Sequence, residues 1–396
     1  MSELTILALA SYFKGHRFLG RAHARGARVY LFTVEKCLGK AWPREHLADV
    51  FAVPDRHSLA DVVKTVSYLS RTTRFDRVVA LDDFDVETAA HLREHFRMEG
   101  MGDTHARLFR DKLAMRTAAA RFGIPVPEFT GLFNDADVRA FAARVPGPWM
   151  LKPRAQASAT GIKKIQNIDE LFPALDALGD ERSHYLLERY VAGDVYHVDA
   201  LTAGRNVLFA EVHKCGTPPF DVAHGGGIFS SQTVLRGSSE ERTLRAMNEK
   251  ILTSFGLERG PSHIEFLRSR ETGEFSFLEC AARVGGAHIA DMVEASTGLN
   301  LWAEWADIVM DGDAYQLPKV RTDYGGLVVC LAKDAEPDTS SFNDPEVVYR
   351  SPEPHHVGLA VASPDAARAH GLVSDYAARL QREVLAVLPA AVRPAH

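Results

Sequence analysis

Two glutamates and an arginine carry the first chemical signal in this chain. In residues 262–288, SHIEFLRSRETGEFSFLECAARVGGAH, two runs rich in aromatic and branched residues flank a polar RSRETG turn. That is the pattern of a β-hairpin. A hairpin centred on Thr272 sets Glu265 opposite Glu279, because the two are equidistant from the turn. Like charges paired across strands repel unless something offsets them. With Phe266, Phe275, Phe277 and Leu278 as neighbours, both carboxylates are expected against a core, where a divalent cation would offset them. One or two carboxylates completed by substrate phosphates is the usual way Mg²⁺ is held at nucleotide sites. Taken alone, the hairpin is more simply a surface ribbon whose glutamates face water. Arg283, four residues past Glu279 and followed by Gly285 and Gly286, favours the metal reading. A guanidinium beside a metal-bound phosphate can hold the transferred group and the charge that develops on it.

A chain of 396 residues is long for one hydrophobic core and implies two to four lobes. Its 46% hydrophobic and 25% charged residues are those of an ordinary globular protein. A net charge of −6 gives no basic footprint, which argues against nucleic acid as a partner. Cys37, Cys215, Cys280 and Cys330 are widely spaced, so neither a structural zinc site nor a disulfide framework is expected, and a reducing cytoplasm fits. The opening MSELTILALASYF has no basic leader and too short an apolar run for a bilayer, so it reads as a first strand, not a membrane anchor.

The elements that must position the site follow from periodicity. LTILALA (4–10), ARVYLFT (27–33) and DRVVALDD (76–83) are continuous apolar runs of the kind found in buried parallel strands. A helical segment, ETAAHLREHF, follows the third, and alternation of this kind implies a doubly wound sheet. No GxGxxG follows the first strand, so a dinucleotide-binding phosphate turn is missing. RDKLAMRTAAARFGIPVPEF starts a helix at Asp111 and ends it at Gly123. On these residues alone, Asp111 is a capping acid and Lys112 a solvated lysine.

GPWMLKPR is a strand with Lys152 inside an apolar run, a costly place for an ammonium without an anion. Lys163 and Lys164 read as solvated. HYLLERYVAGDVYHVDAL (184–201) reads as strand, bend at Gly193, strand, with Glu188 pairing with Arg189 in the simplest account and His197 a core histidine in another. After NVLFAEVHK comes CGTPPFDVAHGGGIFSSQTV, dense in Pro, Gly and small polar residues and long enough for a functional loop. Turn chemistry and surface charge account equally well for His213, Lys214, His224 and Gly226 there. Ser230 and Ser231 lack an ordered Ser/His/Asp arrangement in the sequence and are not expected as nucleophiles. A helix over 239–255 leads into the hairpin, and helices follow it. YGGLVVCLAK and VGLAVAS then read as strands, a helix over about 365–387 follows, and the Ala/Pro-rich end reads as a frayed tail.

Over residues 1–310 these motifs, in this order, resemble the ATP-grasp superfamily, in particular carboxylate–amine (L-amino acid) ligases. Its metal-binding stretch runs Glu, any, Asn, Pro, Arg, then Gly, with an earlier Glu in the partner strand. Glu265, Glu279 and Arg283 match, whereas Ala281 stands where the family has Asn. The resemblance implies a multidomain α/β and α+β fold: an N-terminal doubly wound parallel-sheet domain over 1–110 and an ATP-grasp lid over 111–190. An ATP-grasp C-terminal part with the metal hairpin over 191–315 and a small C-terminal α+β lobe over 316–396 complete it.

It also implies ATP and Mg²⁺ (or Mn²⁺) as cofactors, with Glu265 and Glu279 on the metal and Lys112 and Lys152 on phosphate. Glu188 would face the adenine amino group, Tyr190 and Val191 would offer hinge backbone, and His197 would contact nucleotide. Residues 155–161 take the place of the family's flexible phosphate loop, and His213, Lys214, His224 and Gly226 that of the acceptor pocket. Arg283 would stabilise an acyl phosphate, and Lys152 would assist. The implied activity is amide formation between a small-molecule carboxylate and an amine, with ADP and phosphate released. A kinase that stops at phosphoryl transfer and a nucleotide-binding protein without turnover are the alternatives. A homodimer is compatible with the resemblance but not specified by it.

Overall fold

The computed structural model describes residues 3–157 and 160–387. Four parallel strands, β1 (Thr5–Ala10), β2 (Arg28–Val34), β3 (Asp49–Val53) and β4 (Arg77–Ala80), form the first sheet in the order β3-β2-β1-β4. The continuous apolar runs in β1 and β2 are explained by burial along almost their whole length. The strand that sequence patterning misses is β3. It lies at the edge, half of it open to solvent, so DVFAV needs no long hydrophobic run.

A second sheet holds β5 (Phe129–Gly131), β6 (Trp149–Pro153), β7 (Lys163–Ile165) and β8 (Tyr185–Arg189) in the antiparallel order β5-β8-β6-β7. Leu132, Phe141, Trp149, Leu171 and Leu187 form its own small core with the helices Asp135–Arg144 and Ile168–Leu178.

The third sheet is antiparallel and has eight strands: β9 (Gly193–Ala203), β10 (Asn206–Cys215), β11 (Phe229–Thr233), β12 (Gly260–Ser269), β13 (Phe275–Ala281), β14 (Tyr324–Leu331), β15 (Val347–Arg350) and β16 (His356–Ser363). Their order is β13-β12-β9-β10-β11-β14-β16-β15. The segment expected as a C-terminal α+β lobe does combine strands with a helix, Ala366–Glu383. Its strands continue the sheet that carries the hairpin, because β14 pairs with β11 through Phe229↔Val329 to Gln232↔Gly326. The Pro- and Gly-rich segment after β10, expected as loop, contains the helix Pro219–Gly225 as well as β11.

Beneath β9 and β10 lies the helix Ser239–Phe255, whose Leu244, Ile251, Leu252 and Phe255 share a core with Ile264, Phe266 and Phe277 of the hairpin. The first sheet joins the helices Ile289–Thr297 and Leu301–Asp311 in another core, where Phe18 meets Trp305 edge-on. The hairpin is therefore clamped between lobes. Among the described residues no helix is long and apolar enough to cross a membrane. The expected frayed tail begins beyond residue 387, outside the described residues.

Candidate active site

Glu265 and Glu279 stand directly opposite each other across β12 and β13. Near the turn the ladder pairs Phe266 with Phe277, a register that would set Glu265 against Leu278. A β-bulge makes Leu278 the extra residue, and from there the register brings the two glutamates together. Both carboxylates are partly exposed, at 31% and 28%, so neither is enclosed in the core and neither stands in open water. Burial pushes the Glu265 carboxyl up, but the adjoining His263 imidazole holds it below the usual range.

Lys112 reaches this pair from the N-terminus of the helix Lys112–Arg121. Asp111 caps that helix by accepting from the backbone N–H groups of Leu113 and Ala114 at 3.0 and 3.3 Å, and it also receives Arg154 Nε at 2.9 Å. The capping reading of Asp111 holds, but Lys112 is not solvated. Its Nζ lies 3.0 Å from Glu279 Oε2 and donates to the Gln156 carbonyl at 2.7 Å, tying the start of the small-residue loop to the hairpin. Ser158 and Ala159 of that loop lie outside the described residues.

Lys152 of β6 points to Glu188 of β8, its diagonal neighbour on the same face, and the two form an ion pair. Arg116 closes on the other oxygen, with Nε 3.1 Å and Nη2 3.0 Å from Glu188 Oε2. This corrects the pairing of Glu188 with Arg189. The residue is 1% exposed, with its carboxylate engaged by Arg116 and Lys152, and Arg189 pairs with Glu128 instead. Burial raises the Glu188 carboxyl, but Arg116 and Lys152 outweigh it and hold the group below the usual carboxylate range.

Arg116 also donates to the carbonyl of Leu278, the bulged residue, and so ties Glu188 to the hairpin. Sequence reasoning passed over Arg116. Lys112, Met115, Arg116 and Ala119 lie on one helical face, and that spacing marked it as buried.

The chain between the second and third sheets runs through Tyr190 and Val191. The Tyr190 N–H donates to the Pro148 carbonyl at 3.0 Å, and Lys164, expected in solvent, places Nζ 3.6 Å from the Tyr190 ring centroid.

Arg283 is met from the first lobe. Its Nε lies 2.6 Å from Asp83 Oδ2, and Arg110 Nη1 lies 3.8 Å from the other oxygen of Asp83. Desolvation alone would raise the Asp83 carboxyl, but Arg283 and Arg110 lower it overall. Asp83 and Arg110 were not singled out from the sequence. The available signal was DDFD at the carboxyl end of a parallel strand, where open α/β sheets bind ligands.

The histidines depart most from expectation. His197 Nδ1 lies 2.7 Å from Asp199 Oδ2 and its Nε2 2.7 Å from Ser231 Oγ, all three side chains being buried. An ordered Ser/His/Asp arrangement thus exists that the linear spacing of these residues does not show, but Ser231 is fully enclosed and out of reach of a substrate. His197 is a core histidine. His213 stacks on it, with ring centroids 4.7 Å apart, and is itself fully buried, so it does not face an acceptor pocket. Burial pushes the His213 imidazole down to about 4.

Lys214 pairs with Asp194 at 2.8 Å on the neighbouring strand. His224 reaches toward the small-residue loop, its Nε2 being 3.1 Å from the Ile162 carbonyl oxygen, and Gly226 adopts a left-handed φ of 70° nearby. Ala281 ends β13 opposite His263, and its methyl group offers no ligand atom.

Residues 145–291 match the family model of an ATP-grasp domain. An L-arginine-specific L-amino acid ligase of Bacillus subtilis is 25% identical over 265 residues, which is 65% of this chain and 63% of that enzyme. The match therefore spans less than two thirds of the relative's length. A D-alanine–D-alanine ligase of Bordetella avium is 30% identical over 134 residues, 34% of this chain and 42% of the relative. Among solved structures, an L-amino acid ligase from Bacillus licheniformis superposes with a TM-score of 0.77 at 16% identity, covering 97% of this chain and 98% of its own. An N5-carboxyaminoimidazole synthetase from Staphylococcus aureus, complexed with ADP, gives 0.71 at 15% identity, covering 94% and 96%. The chain shares the fold of these proteins along almost its whole length.

Proposed function

We propose that this ATP-grasp chain is an ATP-dependent carboxylate–amine ligase that joins small molecules through an amide bond. The observation that carries the reading is the opposition of Glu265 and Glu279 across the hairpin, with Lys112 on Glu279. Two carboxylates set against each other across strands fit a hard divalent cation, because its charge offsets their repulsion and oxygen is its preferred donor. Glu265 and Glu279 would hold Mg²⁺, which when bound neutralises charge on the phosphates.

Lys112 and Lys152 are the cations of the nucleotide side. Each is held by a carboxylate here, so each is oriented before phosphate arrives. Tyr190 and Val191 lie at the link between lobes and are assigned to the base. Arg283 is assigned to the substrate carboxylate once it has taken up the γ-phosphoryl group. There its guanidinium offsets the charge on the acyl phosphate and on the oxyanion formed when the amine attacks. The amine displaces phosphate, and its proton leaves to solvent or to a base. No protein nucleophile is required.

The L-amino acid ligase relatives make amino acids the first substrates to try. The test is phosphate release from Mg-ATP across paired carboxylates and amines, with mass detection of the product. Amide and phosphate in equal amounts are expected. ADP without free phosphate would instead identify a kinase. No turnover with any pair would leave a nucleotide-binding protein, a reading for which the methyl group of Ala281 is the specific structural argument.

A further inference from the structure

Below Glu265 the polar groups on one face of the third sheet are arranged by strand register. His263 and Glu265 are two residues apart on β12 and so share a face, and they pair with Asp199 and His197 of β9. His263 Nδ1 lies 2.9 Å from Asp199 Oδ1, and its Nε2 lies 3.6 Å from Glu265 Oε1. One imidazole thus bridges two carboxylates. Asp199 is itself fixed by His197, which Ser231 fixes in turn.

Gly285, two residues after Arg283, rests on the same pair. A Cβ at that position would come within 2.6 Å of Asp199 Oδ1 and 3.2 Å of His263 Nδ1, so only glycine lets the strand exit pass this close. The pair therefore bears on both the candidate ion ligand and the segment that carries the candidate phosphoryl-binding arginine.

We propose that Asp199 and His263 act as a positioning pair, in which His263 fixes the Glu265 carboxylate and thereby sets how tightly the divalent ion is held. The proposal rests on the function proposed above, in which Glu265 is an ion ligand. His263 touches neither ion nor substrate in this role. Residues that orient a metal ligand commonly change metal affinity by about 10- to 100-fold when lost.

The test is direct Mn²⁺ binding to the full chain in the presence of ADP, read from the free Mn²⁺ signal in electron paramagnetic resonance. His263→Leu and Asp199→Asn are expected to weaken Mn²⁺ by about tenfold or more, with ADP binding without metal unchanged. His263→Gln, whose amide can still reach Glu265, is expected to recover part of the loss. His213→Leu serves as the control, since His213 is also buried and lies 3.5 Å from Asp199, but stands on β10, separated by β9 from the strand that carries Glu265. It is expected to bind Mn²⁺ like the wild type. Should His263→Leu not fold, as judged by thermal unfolding, Asp199→Asn and His263→Gln carry the comparison.

Equal weakening by the His213 and His263 variants, or none by either, overturns the proposal alone. Wild-type protein that takes up no Mn²⁺ with ADP overturns the metal-dependent function and the positioning role with it.

Discussion

Lys112 Nζ sits 3.0 Å from Glu279 Oε2, although the two residues are far apart in sequence and belong to different lobes. The contact joins the helix Lys112–Arg121 to the hairpin proposed to hold the ion. Like-charge repulsion between Glu265 and Glu279 is thus partly offset by the Lys112 ammonium.

Glu279→Gln keeps the shape of the side chain and removes the charge that holds Lys112 and is proposed to hold the ion. Turnover should fall by about 100-fold or more, while the fold, checked by circular dichroism and thermal unfolding, is retained. Phosphate release at saturating ATP is the measurement, and wild-type rates in the variant would remove Glu279 from the site.

Arg116→Leu leaves the enclosed Glu188 with Lys152 alone and the Leu278 carbonyl without its donor. Removing one partner of a buried ion pair typically costs about 3–5 kcal/mol. Urea unfolding should show a loss of that order. A shift under about 1 kcal/mol would mean that Glu188 has re-paired or rehydrated.

Asp83→Asn weakens the hold of the first lobe on Arg283 and leaves Glu265 and Glu279 untouched. We expect kcat/KM for the carboxylate to drop by about tenfold or more while the KM for ATP changes little. An equal effect on both substrates would place Asp83 outside the acceptor side.

His213 gives a pH signature. Its folded-state value is about 4, against an unfolded value of about 6.5, so between these limits the unfolded chain binds the extra proton. The stability it contributes is complete above about 6.5 and is lost as pH falls through about 4, on the order of 3 kcal/mol at most. His213→Leu should flatten the pH dependence of unfolding in that window. An unchanged slope would show that another group governs it.

The hairpin shows how far sequence counting carries and why. Equal spacing from Thr272 named the right pair, but the turn itself is off-centre, and it is the bulge at Leu278 that restores the opposition. A bulge adds one residue to one strand and leaves no mark in apolar periodicity. Glu188 illustrates the other limit. Its identity and strand were legible, but a carboxylate's partner depends on which cations packing brings near, and Arg116 arrives from a helix 72 residues earlier.

The sequence by itself determined the elements and their faces: the buried parallel strands, the helix capped by Asp111, Lys152 in an apolar strand, and a hairpin carrying two opposed acids. Those features depend on neighbours along the chain, where periodicity and capping act. Only the tertiary structure decided that Lys112 meets Glu279, that Asp83 holds Arg283, and that His197 and His213 are buried around Asp199. These contacts join residues from separate strands and lobes, and charge pairing and burial there are set by strand order and register, which no local pattern encodes.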